Sequence, residues 1–186
     1  MDISEAIKQR RSVYPHQFKD IVVEDSTVKK LLGLANWAPT HRKTEPWRFK
    51  VMTGDFKSKA GEFFKNIYLT TTEKPKRIKA NKIADKFNQS SHVIAVCMQR
   101  DPKESVPEWE EIAATAMAVQ NMWIGAKDLN IGMYWSTPGY KDTLSELLPL
   151  NHGESCLGFL YLGYFDEPQE LLLRQSPITD KTAWFS

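Results

Sequence analysis

The sequence predicts an α+β domain, an α/β sandwich in which a sheet of about four strands carries helices on its faces. Short apolar or alternating runs recur between longer segments with helical periodicity, so strands and helices are interspersed along the chain. A length of 186 residues, 41% of them hydrophobic, suits one ordinary domain with enough apolar surface for a sizeable core. No internal repeat or low-complexity tract interrupts that pattern.

The chain opens with Ile3, Ala6, Ile7 and Arg10 at i, i+3, i+4 and i+7, a helical face that begins apolar and ends in a cation. Ser12 and Pro15 stop it. A second helix starts near Asp25 or Ser26, either a suitable N-cap, and places Val28, Leu31, Leu32 and Ala35 on one face. Pro39 disfavours further helix, which leaves "ANWAPTHRKTEPWRF", Ala35 to Phe49, as the loop that follows. "RFKVMTG", Arg48 to Gly54, alternates as a strand does.

From Asp55 to Lys86 the pattern is helical but polar, broken at Pro75, and its lysine-rich part "EKPKRIKANKIADK" reads as a solvated helical face. "HVIAVCMQ", His92 to Gln99, suits a strand buried on both faces. The stretch from Glu111 to Leu129 holds four alanines between Ala113 and Ala118 and is apolar nearly all round. Such a helix must be covered on most sides, partly by the domain centre and partly by a subunit interface. "IGMYWSTP" and "SCLGFLYLGYF" give two further strands. Near the end of the chain, Trp184 and Phe185 need somewhere to dock, and a partner subunit is one place.

Several function classes are excluded by composition. A net charge of +2, from 25 basic and 23 acidic residues, gives no global field that would draw the protein onto nucleic acid. No long apolar run spans a membrane, and "MDISEAIKQRR" puts charges where a secretory signal is apolar, so a cytoplasmic location is expected. His16, His41, His92 and His152 lack the spacing of a metal site. Cys97 and Cys156 lie inside apolar runs and read as buried reduced thiols. There is no Gly-rich dinucleotide or triphosphate loop.

Two segments carry residues suited to a ligand. Arg10, Arg11 and Ser12 offer two guanidinium groups and a hydroxyl that suit a phosphate, although cations at a helix end also complement its dipole. In the loop, Pro39 and Pro46 bracket six polar residues, which stiffens the backbone and leaves its polar groups available to a ligand edge. Trp37 and His41 add flat surfaces and a donor, whereas Trp47 and Phe49 run into the strand and read as core anchors.

Together, "RRS" after the opening helix, "WAPTHRKTEPWRF", the alanine-rich central helix, "GMYWSTP" and "GFLYLGY" resemble the nitroreductase family, most closely its compact members with a His two residues after Ala-Pro. The resemblance covers nearly the whole chain in order. It implies one nitroreductase-like FMN-binding domain over residues 1–186, a central mixed sheet of four to five strands flanked by helices, and an intertwined homodimer. Arg10, Arg11 and Ser12 are then implied to hold the flavin phosphate, ribityl chain and part of the ring edge. Trp37, Pro39, Thr40, His41 and Lys43 are implied to contribute from the other subunit, and Trp135, Ser136 and Thr137 to approach the ring. The implied activity is FMN-dependent, NAD(P)H-driven reduction of nitroaromatics, quinones or a related acceptor by ping-pong hydride transfer, the protein supplying binding and orientation. A flavin-binding sensor or flavin-handling module with little turnover is the alternative.

Two positions depart from the family pattern. Tyr14 stands where many relatives place a basic residue, so charge to support a reduced flavin must come from elsewhere. Glu45 stands where Gln is usual, either pairing with Arg42 or Lys43 or altering acceptor preference. Larger members direct a C-terminal basic pair at the phosphate, for which Arg174 is the only candidate here, and Lys76 and Arg77 offer a basic lid that attracts NAD(P)H phosphates.

Overall fold

The computed structural model describes residues 2–166 and 174–185. Four strands form one sheet: β1 (Trp47–Met52), β2 (His92–Gln99), β3 (Ile131–Ser136) and β4 (Glu154–Tyr164), in the order β1-β2-β4-β3. Each neighbouring pair is antiparallel. Among the described residues, the mixed sheet that the resemblance implies is met only by an isolated parallel bridge, Ser12 to Met133, at the β3 edge. The reason lies in the connection between β1 and β2, which contains two helices, α3 (Gly54–Thr71) and α4 (Arg77–Gln89). A single crossover helix returns the chain for a parallel strand, whereas a helix pair brings it back to the end where β1 stopped.

Side chains alternate across the sheet and feed two cores. Ile94, Val96, Leu160 and Leu162 pack with Val28 and Leu31 of α2 (Asp25–Ala35) and Val119 and Met122 of α5 (Glu108–Lys127). On the opposite face, Val93, Ala95, Phe159 and Tyr161 meet Phe64 of α3 and Phe87 of α4. The rings of Phe64 and Phe159 lie 4.9 Å apart, an edge-offset contact that adds to their burial. With helices on both faces, β2 is buried along nearly its whole length, as its unbroken apolar run requires. Cys97 and Cys156 are free thiols, buried opposite each other on β2 and β4.

The start of α2 differs from the expected cap. Neither Asp25 nor Ser26 caps it; the helix begins at Asp25, and no side chain of Glu24 before it closes the end. The Asp25 carboxylate is 3.0 Å from Nε2 of buried His92, because a buried imidazole must find a polar partner.

Among the described residues, α1 (Ile3–Gln9) and α5 keep apolar side chains exposed. α1 buries Ala6 alone, while Ile3 and Ile7 face outward. α5 buries Ala114, Ala118, Val119, Met122 and Ala126 against α2 and the sheet, and leaves Trp109, Ile112 and Met117 exposed. Trp37, Trp184 and Phe185 are also exposed, at 85%, 93% and 95%.

Candidate functional site

After α1 the chain runs extended beside β3, where Val13 N–H donates to Met133 C=O at 3.0 Å. This places Arg10, Arg11 and Ser12 next to the strand that ends in Trp135 and Ser136. The Arg10 guanidinium lies 4.7 Å from the centre of the Trp123 ring on α5, and Trp123 Nε1–H donates to the Arg11 carbonyl at 3.1 Å. Arg11 Nη1 donates to the carbonyls of Lys8 and Arg10, at 2.7 and 2.9 Å. The Arg11 side chain therefore closes the last turn of α1, whereas Arg10 contributes there only its backbone N–H, which donates to the Ala6 carbonyl. Burial, then the Arg174 charge and then Arg11, hold the Arg10 pKa below the ordinary arginine value. No carboxylate among the described residues pairs with Arg10, and the charges that lower its pKa are those of Arg174 and Arg11.

At the end of β3, the Tyr14 and Tyr134 rings meet at 4.6 Å, and the Lys86 ammonium sits 5.4 Å from the Tyr134 ring. Trp135 Nε1–H is a buried donor without a hydrogen-bond partner among the described residues. Ser136 is half-buried and Thr137 exposed. Gly158 on β4 lets this end close: at its φ of 146°, a Cβ would stand 2.5 Å from the Ser136 oxygen and 2.7 Å from Trp135 Nε1.

The loop after α2 forms a second group. Pro39, Thr40 and His41 line a cavity of about 250 Å³ with Trp109, Glu110 and Met117 of α5. His41 Nδ1 is 2.6 Å from Glu110 Oε2, which fixes the ring against the helix. Backbone φ values of 50°, 56° and 42° put Arg42, Lys43 and Glu45 in the left-handed region, uncommon for residues with a Cβ. Glu45 N–H donates to Thr40 Oγ1 at 3.2 Å, and Thr40 Oγ1 also meets Thr44 Oγ1 at 3.1 Å, holding that turn. The expected pairing of Glu45 with Arg42 or Lys43 does not form. Instead the turn engages Glu45 through its backbone, its carbonyl accepting from Arg48 Nη1 at 2.9 Å. Lys43 is exposed and lies outside the cavity wall.

The two groups stand apart within one chain. His41 meets α5 at Glu110 and Arg10 meets it at Trp123, which at 1.5 Å per residue separates them by roughly 20 Å along the helix.

The sequence profile of the nitroreductase family matches residues 7–164, a span that includes Arg10–Ser12, the loop after α2 and the end of β3. The chain belongs to the nitroreductase family. A nitroreductase-like family protein from Bacillus cereus, known from a crystal structure, is 32% identical, with a TM-score of 0.85 over 100% of this chain and 96% of that one. YfhC of Bacillus subtilis, which carries the provisional name NAD(P)H nitroreductase, is 28% identical over 188 residues, 96% of this chain and 92% of YfhC. The same fold is seen in NfnB from Mycobacterium smegmatis, an FMN-dependent nitroreductase solved in complex with NADPH, at 16% identity and a TM-score of 0.77 over 100% of both chains.

Within this nitroreductase-family chain, sequence reasoning passed over Trp123, Glu110, Tyr134 and Lys86. Lys86 sits in the lysine-rich segment read as solvated, and only the packing of α4 separates it, half-buried, from the exposed Lys79 and Lys82. Trp123 carries the faint signal of a single aromatic ring in "NMWIGAK". No described helix is long and apolar enough to cross a membrane.

Proposed function

We propose that this nitroreductase-family chain, one domain over residues 1–186, holds FMN between two copies of itself and acts as an NAD(P)H-dependent oxidoreductase on nitroaromatics, quinones or a related acceptor. The observation that carries the reading is Arg10, half-buried on Trp123 beside Arg11 and Arg174 with no carboxylate partner among the described residues. Such a group calls for an anion, and guanidinium groups bind a phosphate with bidentate, charge-assisted hydrogen bonds. The residues present therefore fit FMN: Arg10, Arg11 and Ser12 for the phosphate and ribityl chain, with Arg174 near Arg10. Trp135, Ser136 and Thr137 serve the ring edge, where the unpartnered Trp135 N–H is available.

The other half of the site comes from the second copy. Pro39, Thr40 and His41, which line the cavity beside Glu110, stand too far along α5 to reach the same ring in one chain, and Trp37 and Lys43 belong to the same loop of the partner. A partner also covers the outward apolar side chains of α1 and α5 and docks Trp184 and Phe185.

Bound FMN would supply the hydride chemistry, taking hydride from the nicotinamide and passing it to the acceptor in turn. The chain's residues bind and orient. Arg10 anchors the anionic tail, the partner's loop excludes water from the ring, and Lys86 provides beside Tyr134 the positive charge that Tyr14 does not. A cytoplasmic location belongs to the same proposal.

The test is an absorbance spectrum of the purified protein, followed by anaerobic addition of NADH or NADPH and then of an acceptor. A flavin band that bleaches and returns on adding a nitroaromatic or quinone supports the reading. A flavin band with negligible turnover would instead mark a sensor or flavin-handling module, and a colourless protein indifferent to added FMN would refute both.

A further inference from the structure

α3, α4 and the turn after β3 enclose a second cavity, of about 600 Å³, within the range of about 300–1,000 Å³ typical of small-molecule sites. Its wall includes the rings of Tyr68 and Tyr140, the side chain of Ile83, and Lys79, Lys82 and Lys86. The three lysines follow i, i+3, i+7 spacing, so one face of α4 presents them all to the same space. Lys79 Nζ lies 5.4 Å from the Tyr68 ring and Lys86 Nζ the same distance from the Tyr134 ring, so the cations cluster with aromatic faces. Among the described residues no carboxylate lines the cavity, and none forms an ion pair with any of the three. A solvated helical face accounts for Lys76 and Arg77, which are outside this wall, but not for three uncompensated ammonium groups around tyrosines.

We propose that this cavity binds a planar aromatic anion such as an aryl carboxylate, its ring against Tyr68 and Tyr140 and its charge toward Lys79, Lys82 and Lys86. Inorganic phosphate chemistry satisfies the cations but leaves the aromatic and aliphatic wall uncovered, so a ligand with both parts fits better. Lys86 faces Tyr134, whose ring meets Tyr14 two residues after Ser12, so the cavity adjoins the proposed ring site. Resting on the function proposed above, the cavity then selects negatively charged acceptors. With 4-nitrobenzoate, one hydride from the reduced nicotinamide and one proton from solvent convert the nitro group to nitroso and release one water.

The experiment titrates the purified full-length protein with sodium benzoate by calorimetry, alongside benzyl alcohol as the neutral counterpart and pyrophosphate as a competitor. Benzoate is expected to bind more tightly than benzyl alcohol. The double variant K79Q/K82Q, both positions exposed, should weaken benzoate about fivefold, the scale of losing two exposed charge contacts, with its melting temperature unchanged. The kcat/KM ratio of 4-nitrobenzoate to nitrobenzene should fall by the same factor. Equal affinity for benzoate and benzyl alcohol, an unaffected double variant, or pyrophosphate displacing benzoate at lower concentration than benzoate itself binds overturns the proposal. Benzoate binding is read without turnover, so a protein that takes benzoate but no FMN refutes the proposed function and leaves the cavity assignment standing.

Discussion

Arg10 stacks on Trp123, 4.7 Å from guanidinium to ring centre, and the same indole donates at 3.1 Å to the carbonyl of Arg11. One aromatic side chain on α5 thereby holds both arginine positions, the Arg10 guanidinium over its ring and the Arg11 backbone through its N–H.

If that position serves a phosphate, Arg10→Ala should weaken FMN binding by about 1.5–3 kcal/mol, roughly 10- to 160-fold, since it deletes a charge-assisted contact. The melting temperature of the flavin-free protein should change little, because Arg11 keeps its bonds to the last turn of α1. Equilibrium titration with FMN measures the first and a thermal melt the second. Unaltered FMN affinity would confine Arg10 to its packing on Trp123.

Lys86 provides the cation nearest the Tyr14–Tyr134 pair, where the usual basic residue is missing. Replacing it in Lys86→Gln should lower the flavin midpoint potential by about 20–40 mV, equivalent to about 1–2 kcal/mol for a two-electron couple. Spectroelectrochemical titration reads this directly. A potential that stays put or rises would separate Lys86 from the ring.

A buried carboxylate makes folding sensitive to acid. Burial would raise the Glu154 pKa, but the Asn151 N–H and the Lys50 ammonium, 2.8 Å from Oε1, outweigh it and hold it below the ordinary glutamate value. A depressed folded-state pKa means that the unfolded chain binds the proton first. The stabilisation is thus complete above the unfolded value of about 4.3 and is lost as pH falls through the folded one. Glu154→Gln should cost about 1–3 kcal/mol at neutral pH and flatten the stability profile in acid, as followed by urea denaturation across pH. A variant whose stability falls as steeply as that of the unsubstituted protein when pH drops below about 4.3 would show that this pair does not govern the acid limb.

Much of the fold was legible in the residues. The unbroken run of β2, the helical face of Val28, Leu31 and Ala35 and the break at Pro75 each depend on near neighbours in sequence, and each stands where the pattern put it. Sheet direction was less accessible, because it depends on an even number of helices between β1 and β2, which periodicity reads only as helix. The Asp25–His92 contact was hidden for the same kind of reason: a capping residue and a partner for a buried imidazole look alike until β2 is placed beside α2. Of the candidate site, the chain brings Ser12 beside Met133, two residues before Trp135, a nearness that no local motif encodes. Lys86 was invisible among similar lysines because burial, not identity, distinguishes it.

The central claim is that Arg10 of one copy and His41 of the other serve the same flavin. A heterodimer assembled from one Arg10→Ala chain and one His41→Ala chain, purified with two different tags, decides it by the number of FMN molecules bound at unsubstituted affinity. A site shared across the interface leaves one such FMN per heterodimer, since one site then carries both substitutions and the other neither. A heterodimer with no site of unsubstituted affinity, while each homodimeric variant is also impaired, would contradict the account by placing both residues in the same chain's site.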